Sequence, residues 1–284
     1  MGWATADNKF GLSPYIVGTT LGDGCNYTSM QTVINEIAAG PLVGAMYVRP
    51  GSYAESLVIP AGVAIHIIGA QSSPANSLAV LLGNITHSGA GSSFEMQNMS
   101  VFSGGLVSFI QTTGTTVLTD CVLFSTGDSA AQVSTVGSSF AAKDTQFSTA
   151  SINDLVQITD SITTSFIGCF FNSPTASLVG IGTANFSADT CTFGNVITAT
   201  DTSVITVRNC TTISAPQFAY TTTALATIRA YHNTVDALDG SGFYASGVGT
   251  FRYADIVPVS NTGIDPGLTA IVENWQPYAL AGAT

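Results

Sequence analysis

The sequence predicts an all-β fold, a parallel β-helix in which short strands stack coil upon coil into a rod. Three observations lead there. The first is a short phrase that recurs down the middle of the chain: a small polar residue, a small or sulfur-bearing residue, then an apolar or Thr-rich pair. It stands at Asn98-Met99-Ser100-Val101, Asp120-Cys121-Val122-Leu123, Asp144-Thr145-Gln146-Phe147, Gly168-Cys169-Phe170-Phe171, Asp189-Thr190-Cys191-Thr192 and Asn209-Cys210-Thr211-Thr212, with a degraded copy at Asn233-Thr234-Val235-Asp236. The steps are 22, 24, 24, 21, 20 and 24 residues. Such a period marks a solenoid, whose repeats bury their apolar faces only against one another. The second observation is composition. β-branched and aromatic runs alternate with Thr, Ser, Gly and Asn, which reads as strands and turns. The third is that helical periodicity is missing from about residue 45 to 240. A leucine-rich repeat would share the period but needs a regular Leu ladder and a fixed Asn, and has neither here.

Taken in order, residues 1–43 are read as an N-terminal arm and a capping helix. Within 28–39 the apolar Met30, Val33, Ile34 and Ile37 fall at helical spacing, Thr28 or Ser29 can cap the start, and Gly40-Pro41 ends it. A helix there would cover the open end of the rod. Residues 44–240 are the coils, with a second apolar cluster in each at Leu106-Val107, Gln132-Val133, Leu155-Val156, Leu178-Val179 and Val196-Ile197. After about 240 the repeat dissolves. Residues 241–284, with irregular prolines and glycines and Trp275 and Tyr278, are read as a C-terminal cap or oligomerisation segment.

Stacking turns the repeat into columns, because neighbouring strands lie about 4.8 Å apart. Cys121, Thr145, Cys169, Thr190 and Cys210 are expected to form one inward column, with Leu123, Phe147 and Phe171 in another two residues on. Asp120, Asp144, Asp189, Asn209 and Asn233 are expected to form a corner ladder, where Asx side chains bond nearby backbone and tolerate unusual dihedrals. No catalytic residue, metal site or cofactor is assigned. The Cys coils alternate with Thr coils, and His66, His87 and His232 are scattered, so buried free thiols are the expectation.

Only 8% of residues are charged, against about a quarter in average proteins. Mean hydropathy is +0.38, yet no apolar run reaches the length of a membrane span. A rod with so neutral an exterior is expected to be covered by neighbours, as a homotrimer. The formal charge of −11, with six Lys and Arg, supplies no basic stripe, so neither nucleic acid nor an anionic membrane is an expected partner. Five cysteines, an odd number set mostly inside the repeat, and the lack of a basic-then-apolar leader point to folding in a reducing cytoplasm.

The segment Ala45-Met46-Tyr47-Val48-Arg49-Pro50-Gly51-Ser52-Tyr53-Ala54-Glu55, followed by Leu57-Val58-Ile59-Pro60-Ala61-Gly62-Val63 and Ile68-Gly69, is similar to the opening coils of pectin-lyase-like right-handed β-helix proteins. The likeness covers about residues 20 to 70. It implies a right-handed coil and an architectural role for Gly51, Tyr53 and Glu55, since enzymes and non-enzymes of that superfamily share this opening. Pectin methylesterases of similar appearance use Gln-Asp, Asp-Phe and Gly-Arg-Pro-Trp motifs, and none stands in this chain. Asn153-Asp154 is the nearest approach to a polygalacturonase signature and lacks its further partner.

Three functions fit such a rod. The first is a non-enzymatic virion protein of a tailed bacteriophage, a capsid decoration or short spike that binds capsid or tail proteins. Parallel β-helix trimers of that kind are implied by the resemblance, and eight or nine coils make a rod of only about 40 Å. The second is a tailspike-like lyase or hydrolase, or a binder of host surface polysaccharide. Asp120, Asp144, Asp154 and Asp160 are its candidate acids and Arg208 or His232 its helpers, because glycoside hydrolysis needs two carboxylates about 5–9.5 Å apart. The third is a passive adhesin or ice-binding rod, suggested by Thr112-Thr113, Thr115-Thr116, Thr163-Thr164 and Thr221-Thr222-Thr223 but lacking regular Thr-x-Thr spacing.

Overall fold

Each coil carries three strands, and like strands of successive coils pair in parallel. The computed structural model describes residues 15–254, except 22–23, 74–75, 135–138, 162, 214–218, 237–244 and 248, together with 257–258 and 272–274. Among the described residues the result is a solenoid of about eight turns, with a twelve-, a ten- and a nine-stranded sheet and a single helix.

The first sheet contains Ser93–Gln97, Thr115–Thr119, Ser139–Lys143, Thr163–Ile167, Asn185–Asp189, Val204–Arg208 and Thr227–Tyr231, paired rung to rung. The second begins after a corner of one or two residues and contains Met99–Ser103, Val122–Ser125, Gln146–Thr149, Phe170–Asn172, Thr192–Phe193 and Thr211–Ile213. A loop leads to the third, with Phe109–Gln111, Ala131–Ser134, Val156–Thr159, Leu178–Ile181, Ile197–Ala199 and Tyr220–Thr222. Alternate residues point inward, so Val, Ile, Leu and Phe from all three sheets meet in one continuous core. Phe147 stacks on Phe171 at 5.2 Å and Phe171 on Phe193 at 4.7 Å, while Phe166 meets Phe147 and Phe171 edge-on. Rings on successive rungs thereby bury large apolar area in offset and edge contacts.

The helix, Met30–Ala39, closes the first coil with Met30, Val33, Ile34 and Ile37 fully buried. Ser29 is its cap and accepts from Thr32 N. The Glu55 carboxylate also accepts from Ser29 Oγ (2.7 Å), Met30 N (2.8 Å) and Gln31 N (3.1 Å). The two amides are orphan donors at the positive end of the helix dipole. Tyr53 donates through its hydroxyl to Arg49 O. Pro50-Gly51-Ser52-Tyr53-Ala54-Glu55 is therefore a fastening between cap and coil.

Two domain boundaries need correction. Tyr15–Val17, assigned to a separate arm, forms a strand on Val43–Val48 and supplies backbone partners to what would be an open edge. The coils also run past residue 240: Ala245–Gly247 pairs with Tyr220–Thr222, and Thr250–Ala254 with Thr227–Tyr231. The polar-then-small corner phrase vanishes there while the strand pattern persists, which is why the repeat looked finished. Trp275 and Tyr278 lie outside the described residues.

Candidate functional site

Two chemistries could make such a rod functional: carboxylates gathered by stacking, or an open face shaped for a ligand. The carboxylates are set by the corners. Between the first and second sheets a single residue turns the chain with positive φ: Asn98 (56°), Asp120 (52°), Asp144 (48°), Gly168 (64°), Thr190 (53°), Asn209 (52°) and His232 (53°). Asn and Asp tolerate this region better than other non-glycine residues. A second left-handed corner, between the third and first sheets, includes Asp160 (55°), Gly182 (68°) and Asp201 (58°).

These side chains bond along the rod. Asp160 accepts from Thr183 N on the next rung (2.8 Å), Asp201 accepts from Gly182 N (3.1 Å), and Asn209 donates to Asp189 Oδ1 (2.9 Å). Gly168 and Gly182 occupy their places for a steric reason as well. A Cβ on either would meet the Asp144 or the Asp160 carboxylate at 2.3 Å and 2.1 Å.

One residue past the first corner, the side chain points inward. Met99, Cys121, Thr145, Cys169, Cys191, Cys210 and Asn233 form this column, all buried. Its function is hydrogen bonding. Cys210 N donates to Asn233 Oδ1 (2.8 Å), Cys191 N to Cys210 Sγ (3.3 Å) and Cys121 N to Thr145 Oγ1 (3.4 Å). In the other direction Asn233 Nδ2 donates to Val207 O and the Cys210 thiol to Arg208 O. A small side chain that both donates and accepts satisfies the amide that the corner would otherwise orphan.

The expected columns need three corrections. Thr190 is not in the inward column: it is exposed at the corner, and Cys191 takes the buried place. Asp189 is not at the corner but ends its strand, paired in register with Arg208. Asn233 is not at the corner but in the column, with His232 turning the chain. The phrase falls one residue early at Asp189 and one residue late at Asn233, because Asp189-Thr190 and Asn233-Thr234 both imitate its polar-small start. Asp120, Asp144 and Asn209 stand at the corner, and Cys121, Thr145, Cys169 and Cys210 stand in the column. Leu123, Phe147 and Phe171 are register partners in the second sheet.

Burial pushes the Cys121 thiol up to about 12. The S–H contact with Cys191, with burial added, also raises Cys169 and Cys210. Cys191 is lowered, because both neighbours can donate to its sulfur. All five cysteines are free thiols. Among the described residues no group of three His, Cys, Asp or Glu has the geometry to hold a metal ion.

The candidate acids are dispersed over three edges of the rod. Asp120 and Asp144 lie at the first corner, Asp154 in the loop from the second sheet to the third, and Asp160 at the corner from the third sheet to the first. Burial raises the Asp154 carboxyl above its ordinary range. Arg208 lies over the Tyr231 ring at 5.8 Å, three rungs beyond Asp144 and so about 14 Å away along the axis. The Lys143 ammonium sits 3.9 Å from Asp144 on the surface.

The open face is the outer side of the first sheet. A shallow depression of about 380 Å³ there is lined by Thr163, Ser165, Asn185, Ser187 and Thr206. It offers hydroxyls and an amide. At an earlier rung His66 Nδ1 and Glu95 Oε2 face each other at 3.9 Å, beyond hydrogen-bond reach. The composition did not single out this depression; its signal is the run of small polar residues at the outward places Thr163, Ser165, Asn185, Ser187 and Thr206 of three successive strands.

No family model matches the sequence, and no curated protein matches it. Solved structures do. The fold matches ORF18 of Geobacillus virus E2 with a TM-score of 0.51 and 13% identity, over 80% of this chain and 57% of that one. The fold is the right-handed parallel β-helix. Others with this β-helix are Escherichia coli ybhc (TM-score 0.44, 11% identity, 94% of this chain and 76% of that one) and the pectin methylesterase from carrot (0.40, 9%, 96% and 86%). The chain spans little more than half the length of the phage protein. Among the described residues no helix is long and apolar enough to cross a membrane.

Proposed function

We propose that the chain is a non-enzymatic virion protein of a tailed bacteriophage, a homotrimeric capsid decoration or short spike that docks on capsid or tail proteins. The observation that carries this reading is the use made of the carboxylates. Asp160, Asp189 and Asp201 are bonded to the rung above or below; Asp120 and Asp144 share the first corner on adjacent rungs, and Asp154 and Asp160 lie on two other edges of the rod. Stacking has gathered acids for architecture, and general acid–base work would need two of them facing one pocket. The match to a phage protein of this fold supports the setting. The purified chain is expected to co-sediment with empty phage heads or tails and to release no reducing sugar from a polysaccharide panel. Sugar release abolished by Asp144→Ala would overturn the non-enzymatic reading.

One observation favours a second reading, binding of a host surface polysaccharide. The depression on the first sheet presents hydroxyls and an amide on adjacent rungs, the groups that hydrogen-bond sugar hydroxyls. Glycan-array binding that is lost in Ser187→Phe, without any cleavage, is its expected signature.

A further inference from the structure

The three outer faces of the rod differ in kind. The first sheet carries charges on its strands, His66, Glu95, Lys143, Asp189, Arg208 and Arg229, while Asp120, Asp128, Asp144, Asp154, Asp160 and Asp201 stand at the corners and loops between the faces. The second sheet, from Gly51–Tyr53 to Thr211–Ile213, places no charged residue outward. Instead it shows large hydrophobics. Leu82, Phe102 and Phe124 are register partners on three successive rungs, and the two phenylalanine rings lie 5.6 Å apart. Leu82 is 48% exposed, Phe102 39% and Phe170 41%. Leu106, in the loop that leaves this face, is 62% exposed. The third sheet is also free of outward charge, but its row is mixed: Val58, Thr86, Ile110, Gln132, Gln157 and Val179 follow one another in register.

We infer that the apolar outer face of the second sheet packs on the uncharged face of the third sheet of another copy of this chain, three copies closing side by side with their first sheets outward. This deepens the trimer reading above and rests on it. Two arguments choose a copy of the chain as occupant. A chain of formal charge −11 meets a copy of itself with least local repulsion along faces whose strands carry no charge, and the rod has two such faces on adjoining sides, with Asp128 and Asp154 in the loops between them. A cyclic trimer needs a heterologous contact, two different faces of each protomer, and that is what the rod offers. The area of each contact is small. Eight rungs of either sheet span about 34 Å by roughly 12 Å, so each contact covers about 400 Å² of each partner, half the share in a standard interface, and the trimer is a weak, concentration-dependent one in which each protomer loses about 800 Å² over its two contacts. The exposed phenylalanines and leucines would supply the dry centre that such contacts favour.

The test is mass in solution by light scattering on the full chain, with far-ultraviolet circular dichroism to check the fold. The unmodified chain is expected at three times 29.1 kDa. Phe102→Glu on the second sheet and Gln157→Arg on the third are expected at one times that mass with the β signal intact. Leu106→Glu, in a loop outside the strands, gives the same result should either sheet variant fail to fold. Ser187→Glu on the first sheet is expected to leave the trimer whole. A trimer that survives Phe102→Glu and Leu106→Glu, or that falls apart in Ser187→Glu, overturns the choice of faces and leaves the trimer reading standing. A monomer for the unmodified chain at several mg/ml overturns the trimer reading itself.

Discussion

His87 is a fully buried imidazole, held by Thr116 Oγ1 at 2.7 Å and Ser92 Oγ at 2.6 Å with an edge contact to Phe94. Burial lowers its pKa from 6.5 to about 4. The folded chain thus prefers the neutral ring, and between those values the unfolded chain binds more protons. The stabilisation is complete above the unfolded value and is lost as pH falls from about 6.5 toward 4, a difference on the order of 3 kcal/mol. Urea midpoints measured from pH 7 to 4.5 should fall, and His87→Gln should flatten that dependence; an equal slope in the variant would show that other groups set it. The inward column makes a second residue-scale prediction. Cys210→Ala removes the acceptor of Cys191 N and should cost about 1–3 kcal/mol, whereas Cys210→Thr keeps one, as Thr145 does for Cys121. Equal melting temperatures for the two variants would sink the hydrogen-bonding account of the column.

Between the residue and the rod stand the corner and the cap. Removing the Glu55 carboxylate leaves Met30 N and Gln31 N without their acceptor at a helix N-terminus, so Glu55→Ala should lose about 2 kcal/mol. The loss should appear first as faster amide exchange in Met30–Ala39, with the central strands unchanged; uniform acceleration would mean that the cap is not a separate unit. At the corner, Gly168→Ala meets both a positive φ and the Asp144 carboxylate, and should cost more than the roughly 1 kcal/mol of φ alone. How far the sequence discloses such elements depends on how local the constraint is. Met30, Val33, Ile34 and Ile37 show the helix because one period governs them all. The corner shows as a recurring Asx because φ is a single-residue property. Which of Asp189 and Thr190 turns the chain is decided by which neighbour stacks over the coil below, and spacing alone places it one residue off. The carboxylate of Glu55 reaching Ser29 is 26 residues away in sequence, so only the coil's closure reveals its purpose. The depression on the first sheet is a property of three adjacent rungs together, and no single strand of it stands out.

At the scale of the whole molecule, the balance of charge and apolar surface separates two ways of assembling. Three copies bring three times −11 of formal charge together. If they meet through the uncharged faces of the second and third sheets, no ion pair holds them, and electrostatics acts only as long-range repulsion. Salt shortens its reach, from about 8 Å at 0.15 M ionic strength to about 3 Å at 1 M. Kosmotropic anions add to the effect by strengthening apolar burial. Raising sodium sulfate should therefore lower the concentration at which trimers dissociate, and lowering pH from 8 to 6, well above the pI of about 4.2, should change it little. Contact through the first sheet would behave in the opposite sense, because Lys143, Asp189, Arg208 and Arg229 would have to pair across copies and salt would screen them. Sedimentation equilibrium at several salt concentrations distinguishes the two by the sign of one slope. A trimer that weakens with salt would place the charged sheet inside the assembly, and the depression lined by Thr163, Ser165 and Ser187 would then be closed to any sugar.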